Sequence, residues 1–159
     1  MLSQVFSKSK NQPVAGPQIG KTANILVVDD DSCMRKLLAQ HLSEAGYDVL
    51  VAEDAVTAGN LILSAPPDLM IVDANIAGLG GIGFVELLKK DQSIPSIPVI
   101  VSAGRREAAS KAKALGAAAY LTKPIVVDDL LRKVGRHAPK TRIASCTGMP
   151  LMRWMFISC

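Results

Sequence analysis

Aromatic residues make up only 4% of the chain, which excludes a core of stacked rings such as an aromatic-rich β-sandwich uses. Cysteine is almost as scarce. Cys33, Cys146 and Cys159 are odd in number, far apart and without CxxC spacing, so neither a disulfide framework nor a zinc site is indicated. The two histidines, His41 and His137, have no local metal-ligand spacing. No apolar run approaches the roughly 20 residues a membrane span needs. Residues 1–21 carry Ser, Gln, Pro and Gly where a signal peptide would have its apolar stretch. A soluble, cytoplasmic protein is expected. Acidic residues are missing from both flanks, whose only charges are Lys8, Lys10, Lys21, Lys140, Arg142 and Arg153. Residues 24–137 hold 12 basic and 14 acidic residues, a net of −2 within a chain of net +4. The basic balance is thus a property of the tails. Without a basic face on the body, no direct nucleic-acid partner is expected.

What is present is an aliphatic alternation. The 159 residues allow one domain with a buried core and are too few for two ordinary ones. Residues 1–22, with Pro13, Gly16, Pro17 and Gly20, read as a disordered leader. Order is expected from Asn24. Ile25 to Val28 is a short β-branched run, as a strand buried on both faces requires. Asp31 or Ser32 then offers an N-cap, and Met34, Leu37, Leu38, His41 and Leu42 follow at helical spacing until Gly46. The unit repeats. Further strands are expected at Tyr47–Ala52, Leu69–Val72, Val99–Ser102 and Ala119–Thr122. Their helices are expected at Asp54–Ser64, about Ile82 to Lys90, Arg105–Leu115 and Asp128 to about His137. Five strand–helix alternations imply an α/β fold, a doubly wound five-stranded parallel sheet with helices on both faces. Residues 23–138 are expected to form that domain, and 139–159 a poorly ordered tail despite Met149, Leu151, Met152, Trp154, Met155, Phe156 and Ile157.

Parallel sheets present their functional loops at the carboxyl ends of the strands. Those ends carry Asp29-Asp30-Asp31, Asp73, Ser102 and Lys123. Each has a plain reading: a cap, a turn, a cap, a solvated lysine. Together, three carboxylates in one crevice repel unless a cation joins them, and Mg2+ takes such oxygen ligands alongside a phosphate. A carboxylate can act as a covalent nucleophile toward phosphorus, and phosphoryl transfer needs positioning and charge neutralisation above all. Asp73 would attack, Lys123 would neutralise the transferred group, and Ser102 would donate its hydroxyl to a phosphate oxygen.

The stretch Ile25-Leu-Val-Val-Asp-Asp-Asp-Ser-Cys-Met-Arg35 resembles the opening of response-regulator receiver domains. That family's acidic pair matches Asp29 and Asp30, and its phosphoacceptor matches Asp73. Its hydroxyl residue matches Ser102, its Lys-Pro pair matches Lys123-Pro124, and its aromatic switch position matches Tyr120. The resemblance covers about residues 23–137. It implies flavodoxin-like strand order 2-1-3-4-5, with Mg2+ held by Asp30, Asp73 and the Asn75 backbone carbonyl and Asp29 acting mainly through water. A cis Lys123–Pro124 bond is implied as well, an option open to proline.

The family's partners would be a histidine kinase or phosphotransfer protein as donor. A downstream effector protein would bind the face of the fourth helix, fifth strand and fifth helix. Such a chain is a phosphoacceptor switch rather than an enzyme with a separate substrate. Nothing after His137 resembles an output module, so the output is expected to be another protein.

The loop after Asp73 departs from the family pattern. Ile76-Ala77 replaces the frequent Met-Pro and Gly80 replaces an acidic residue, although Gly81 is kept. Its GxGGxG spelling lies beside carboxylates that would repel a pyrophosphate, which argues against a dinucleotide site. Three other functions compete with this reading. A non-catalytic scaffold would keep the fold alone. A phosphatase of the haloacid-dehalogenase type would use Asp29 as nucleophile, but Cys33 stands where that family has Thr or Val. A flavodoxin-like FMN carrier would need a hydroxyl-rich phosphate cradle after the first strand, where this chain has three carboxylates.

Overall fold

Short β-branched segments separated by helices can bury both faces of a sheet only if the helices divide between them. In a computed structural model that describes residues 22–138, they do so. The strands are β1 (Asn24–Val28), β2 (Asp48–Ala52), β3 (Leu69–Asp73), β4 (Val99–Gly104) and β5 (Ala119–Lys123). The helices are α1 (Ser32–Glu44), α2 (Ala55–Ser64), α3 (Gly80–Lys90), α4 (Ala108–Leu115) and α5 (Val127–His137). All pairings are parallel and the order is β2-β1-β3-β4-β5, as expected. The leader and tail expected at 1–22 and 139–159 lie, apart from Thr22, outside the described residues.

Alternation along the strands sorts the core into two halves. Leu26, Val28, Met70, Val72, Val99 and Val101 pack with Ala58 and Ile62 of α2, Phe84 and Val85 of α3, and Ala108 and Leu115 of α4. Their neighbours Ile25, Val27, Leu69, Ile71, Ile100 and Leu121 pack with Leu38 and Leu42 of α1 and Leu130 and Val134 of α5. Central β3 is buried throughout, whereas edge strand β2 is buried only at Ala52.

Several boundaries differ from the sequence expectation. β4 runs two residues further, because Ala103 and Gly104 continue to pair with Thr122 and Lys123. The turn from Gly104 to Glu107 follows, so α4 starts at Ala108 rather than Arg105. Sheet pairing there outweighs the helix preference of Arg105-Arg106-Glu107. β2 begins at Asp48, since the Tyr47 amide donates to the Leu42 carbonyl and closes the end of α1 instead. α3 begins at Gly80, about two residues early. Asp31 and Asp54 cap α1 and α2 through amide-to-carboxylate bonds, which stops the chain from fraying beside the sheet edge.

Candidate functional site

Parallel register brings the strand ends level. Asp73 pairs with Ser102 across β3–β4, and Gly104 pairs with Lys123 across β4–β5. Asp29 follows β1, its amide donating to the Ala52 carbonyl. The Lys123 ammonium reaches back over the sheet edge, 3.0 Å from Asp73 Oδ2 and 3.3 Å from Asp29 Oδ2. The remaining oxygens accept backbone amides, Asp31 N–H on Asp29 at 2.9 Å and Asn75 N–H on Asp73 at 3.2 Å. Asp29 and Asp73 are buried while Asp30 is exposed, yet each offers an oxygen within 4.8 Å of the others. Three carboxylates against one ammonium leave a formal charge of −2 in a small volume.

The electrostatics follow from that burial. Loss of water pushes the Asp29 carboxyl above its ordinary range, and the Asp73 charge adds to the effect; the Asp31 amide and Lys123 pull the other way without cancelling it. Burial also works against the Lys123 ammonium, but its hydrogen bond to Asp73 and the charges of Asp29 and Asp73 outweigh it and raise the lysine. The crevice therefore holds its lysine charged and one carboxylate under strain.

Ser102 is 1% exposed, and its Oγ makes no hydrogen bond among the described residues. A buried hydroxyl left unpaired costs stability. Gly81 packs directly under the site: a Cβ there would lie 2.1 Å from the Asp73 carbonyl oxygen. Only glycine permits that approach. Asn75 lies exposed at the mouth. The Lys123–Pro124 bond is cis. Tyr120 is the candidate that does not join the crevice. It is 39% exposed, with the Lys133 ammonium 4.9 Å above its ring and 2.6 Å from its carbonyl oxygen.

The site residues and the sheet around them coincide with a known pattern, since the model of the response regulator receiver domain matches residues 25–135. The chain belongs to that family. Similar relatives include the phosphate regulon transcriptional regulatory protein PhoB of Pseudomonas aeruginosa, 36% identical over 73% of this chain and 51% of that protein. The DNA-binding transcriptional regulator NtrC of Rhizobium meliloti is 35% identical over 82% of this chain and 28% of its own length. The chain thus spans about half or less of these two relatives. Among solved structures, the chemotaxis protein CheY4 of Vibrio cholerae superposes with a TM-score of 0.66 at 28% identity, covering 74% of this chain and 99% of that one. The receiver domain of NtrX from Brucella abortus gives 0.66 at 32%, covering 72% and 97%.

This receiver has two supporting cations that sequence reasoning did not find. The Arg35 guanidinium donates to the carbonyls of Asp29 and Asp30, at 2.7 and 3.0 Å, and so holds the acidic turn in place. Lys111 on α4 donates to Asn75 Oδ1 at 2.9 Å while pairing with Glu107 at 2.6 Å. Neither spacing is a motif. Arg35 falls six residues after Asp29 and Lys111 lies 36 residues from Asn75, so only the fold reveals them. The family match does not favour the haloacid-dehalogenase-type phosphatase reading, in which Asp29 would be the nucleophile.

Proposed function

We propose that the chain is a cytoplasmic phosphoacceptor switch, taking a phosphoryl group on Asp73 from a histidine kinase or a histidine phosphotransfer protein. The observation that carries this reading is the convergence of Lys123 on Asp73 at 3.0 Å beside the unpaired hydroxyl of Ser102. The carboxylates fit a divalent cation, because their formal −2 charge and clustered oxygens ask for one. Asp30, Asp73 and the Asn75 carbonyl would hold Mg2+, with Asp29 acting through water. When bound, the ion supplies charge neutralisation to the phosphoryl oxygens.

In the transfer, an Asp73 carboxylate oxygen forms a bond to phosphorus as the bond from phosphorus to the donor's nitrogen breaks. The leaving imidazole departs with the electron pair. Lys123 gives up part of its contact with Asp73 to meet the developing charge on phosphorus. Ser102 donates its hydroxyl to a phosphoryl oxygen, which ends its unpaired state. The contact is available only when phosphorylated, so it biases the domain between two packings. Ser102 moves toward the group, and Tyr120 turns inward from beneath Lys133. The changed surface of α4, β5 and α5 then binds an effector protein.

Incubation with Mg2+ and acetyl phosphate or beryllofluoride tests the reading. With acetyl phosphate the wild-type chain gains one phosphoryl group by intact mass, with beryllofluoride its spectrum changes, and the Asp73→Asn variant shows neither. Equal silence of both proteins, or equal labelling of both, would overturn it.

A further inference from the structure

Single exposed leucines are ordinary on a protein surface, but a contiguous cluster is not. Val56 and Leu63 of α2 are 74% and 71% exposed, and Leu79 and Leu87, at the start of α3 and within it, are 64% and 53% exposed. These four side chains line one groove of about 300 Å³ together with Ala55 and Gly59. Two further features set α2 apart. Its sequence, Ala-Val-Thr-Ala-Gly-Asn-Leu-Ile-Leu-Ser, contains no charged residue, whereas each of the other four described helices carries at least two. Gly59 also stands mid-helix, where glycine weakens a helix relative to alanine. Nothing within the domain demands it, because a Cβ at that position would meet no atom within 4 Å.

We propose that this face joins two copies of the chain in a two-fold dimer whose α2 helices cross at Gly59. Around a two-fold axis each residue lies near its own copy, so any charge there meets like charge. A helix without charge is what such an axis requires, and it offers nothing to select a charged partner of another kind. The missing Cβ of Gly59 lets the two backbones approach, which accounts for a glycine that the isolated domain does not need. The exposed apolar patch is on the order of 400 Å². With its neighbours it buries roughly 1,000 Å² across the axis, the low end of specific interfaces, so the dimer is weak and exchanging. The inference does not depend on phosphorylation.

Sedimentation equilibrium of the full chain tests it, over about 5–500 µM and without phosphodonor. A monomer–dimer equilibrium with a dissociation constant on the order of 10–100 µM is expected. Leu63→Glu should weaken it at least tenfold while leaving the circular dichroism unchanged. Gly59→Leu, which meets nothing in its own domain but fills the space between the crossing backbones, should weaken it to a similar degree with the circular dichroism again unchanged. A wild-type chain that stays monomeric throughout this range overturns the proposal, even if it binds some other protein there. Association that Leu63→Glu does not disturb also overturns it, because another face or segment then joins the copies. Association that Gly59→Leu leaves unchanged does the same.

Discussion

The crevice at the carboxyl ends of β1, β3 and β5 buries two carboxylates almost completely, while α2, on the flank of the same sheet, leaves Val56 and Leu63 about three-quarters in water. The two regions breach the usual burial rule in opposite senses. One encloses charge that its single lysine does not balance; the other displays apolar surface that the domain does not cover. Both arrangements cost the isolated fold stability. The clustered carboxylate oxygens and the unpaired hydroxyl support the proposed cation and phosphoryl group. The uncharged helix with open space at Gly59 supports the proposed second copy.

The comparison can be broken most forcefully at Gly81. Gly81→Ala would drive a methyl group into the Asp73 backbone, against atoms that have no freedom to move aside. A loss of about 3 kcal/mol is expected from urea unfolding, far more than a change at the exposed Val56 or Leu63 of α2 should produce. An unaltered midpoint would show that the loop under the site is looser than its packing.

Asp29→Asn should act in the other direction. Because burial raises this carboxyl, the folded protein holds its proton more tightly than the unfolded chain. Its contribution to stability is complete below the unfolded aspartate range, about 3.9, and is lost as pH rises through the raised folded value. At pH 7 the ionised group is therefore a net burden. Without divalent cation the variant should be more stable than wild type by about 1 kcal/mol, and the gap should close as pH falls through the acid range. Added Mg2+ should narrow it too, by stabilising the wild type. Urea titrations at several pH values, with and without Mg2+, measure all three effects.

Smaller changes sharpen the picture. Lys111→Met frees Asn75 and, with it, the loop that covers Asp73. The phosphoryl half-life, followed by loss of label, should shorten about threefold, under 1 kcal/mol of barrier. The least effect on folding belongs to α2. Leu63→Glu should shift urea stability by no more than about 0.5 kcal/mol at low protein concentration, since that side chain touches little of its own domain. A large destabilisation would mean that α2 is not the unpartnered element described above.

Much of the fold was legible because its signals are local. Ile25 to Val28, Leu69 to Val72 and Val99 to Val101 are continuous apolar runs, as strands covered on both faces must be, and their sorting into two cores follows from a period of two. The strand-end residues were legible for the same reason, since a parallel sheet brings such ends to one edge. Boundaries set by pairing were less so. Nothing in Ala103-Gly104 announces that it continues to pair with Thr122-Lys123. Arg35 and Lys111 were missed because long side chains choose partners by reach, and reach depends on where the elements sit.

Sequence alone determined the alternation of strands and helices, the parallel sheet that follows from it, and the identity of the acids, hydroxyl and lysine at the strand ends. Tertiary structure decided that Lys123 spans Asp73 and Asp29, partners 50 and 94 residues away. It also decided that Ser102 is left unpaired, that Tyr120 lies outside the crevice, and that α2 keeps an apolar face in water. Periodicity and strand-end chemistry act between neighbours along the chain. Pairing and exposure depend on which distant atoms occupy the same few ångströms, and the packed sheet sets that.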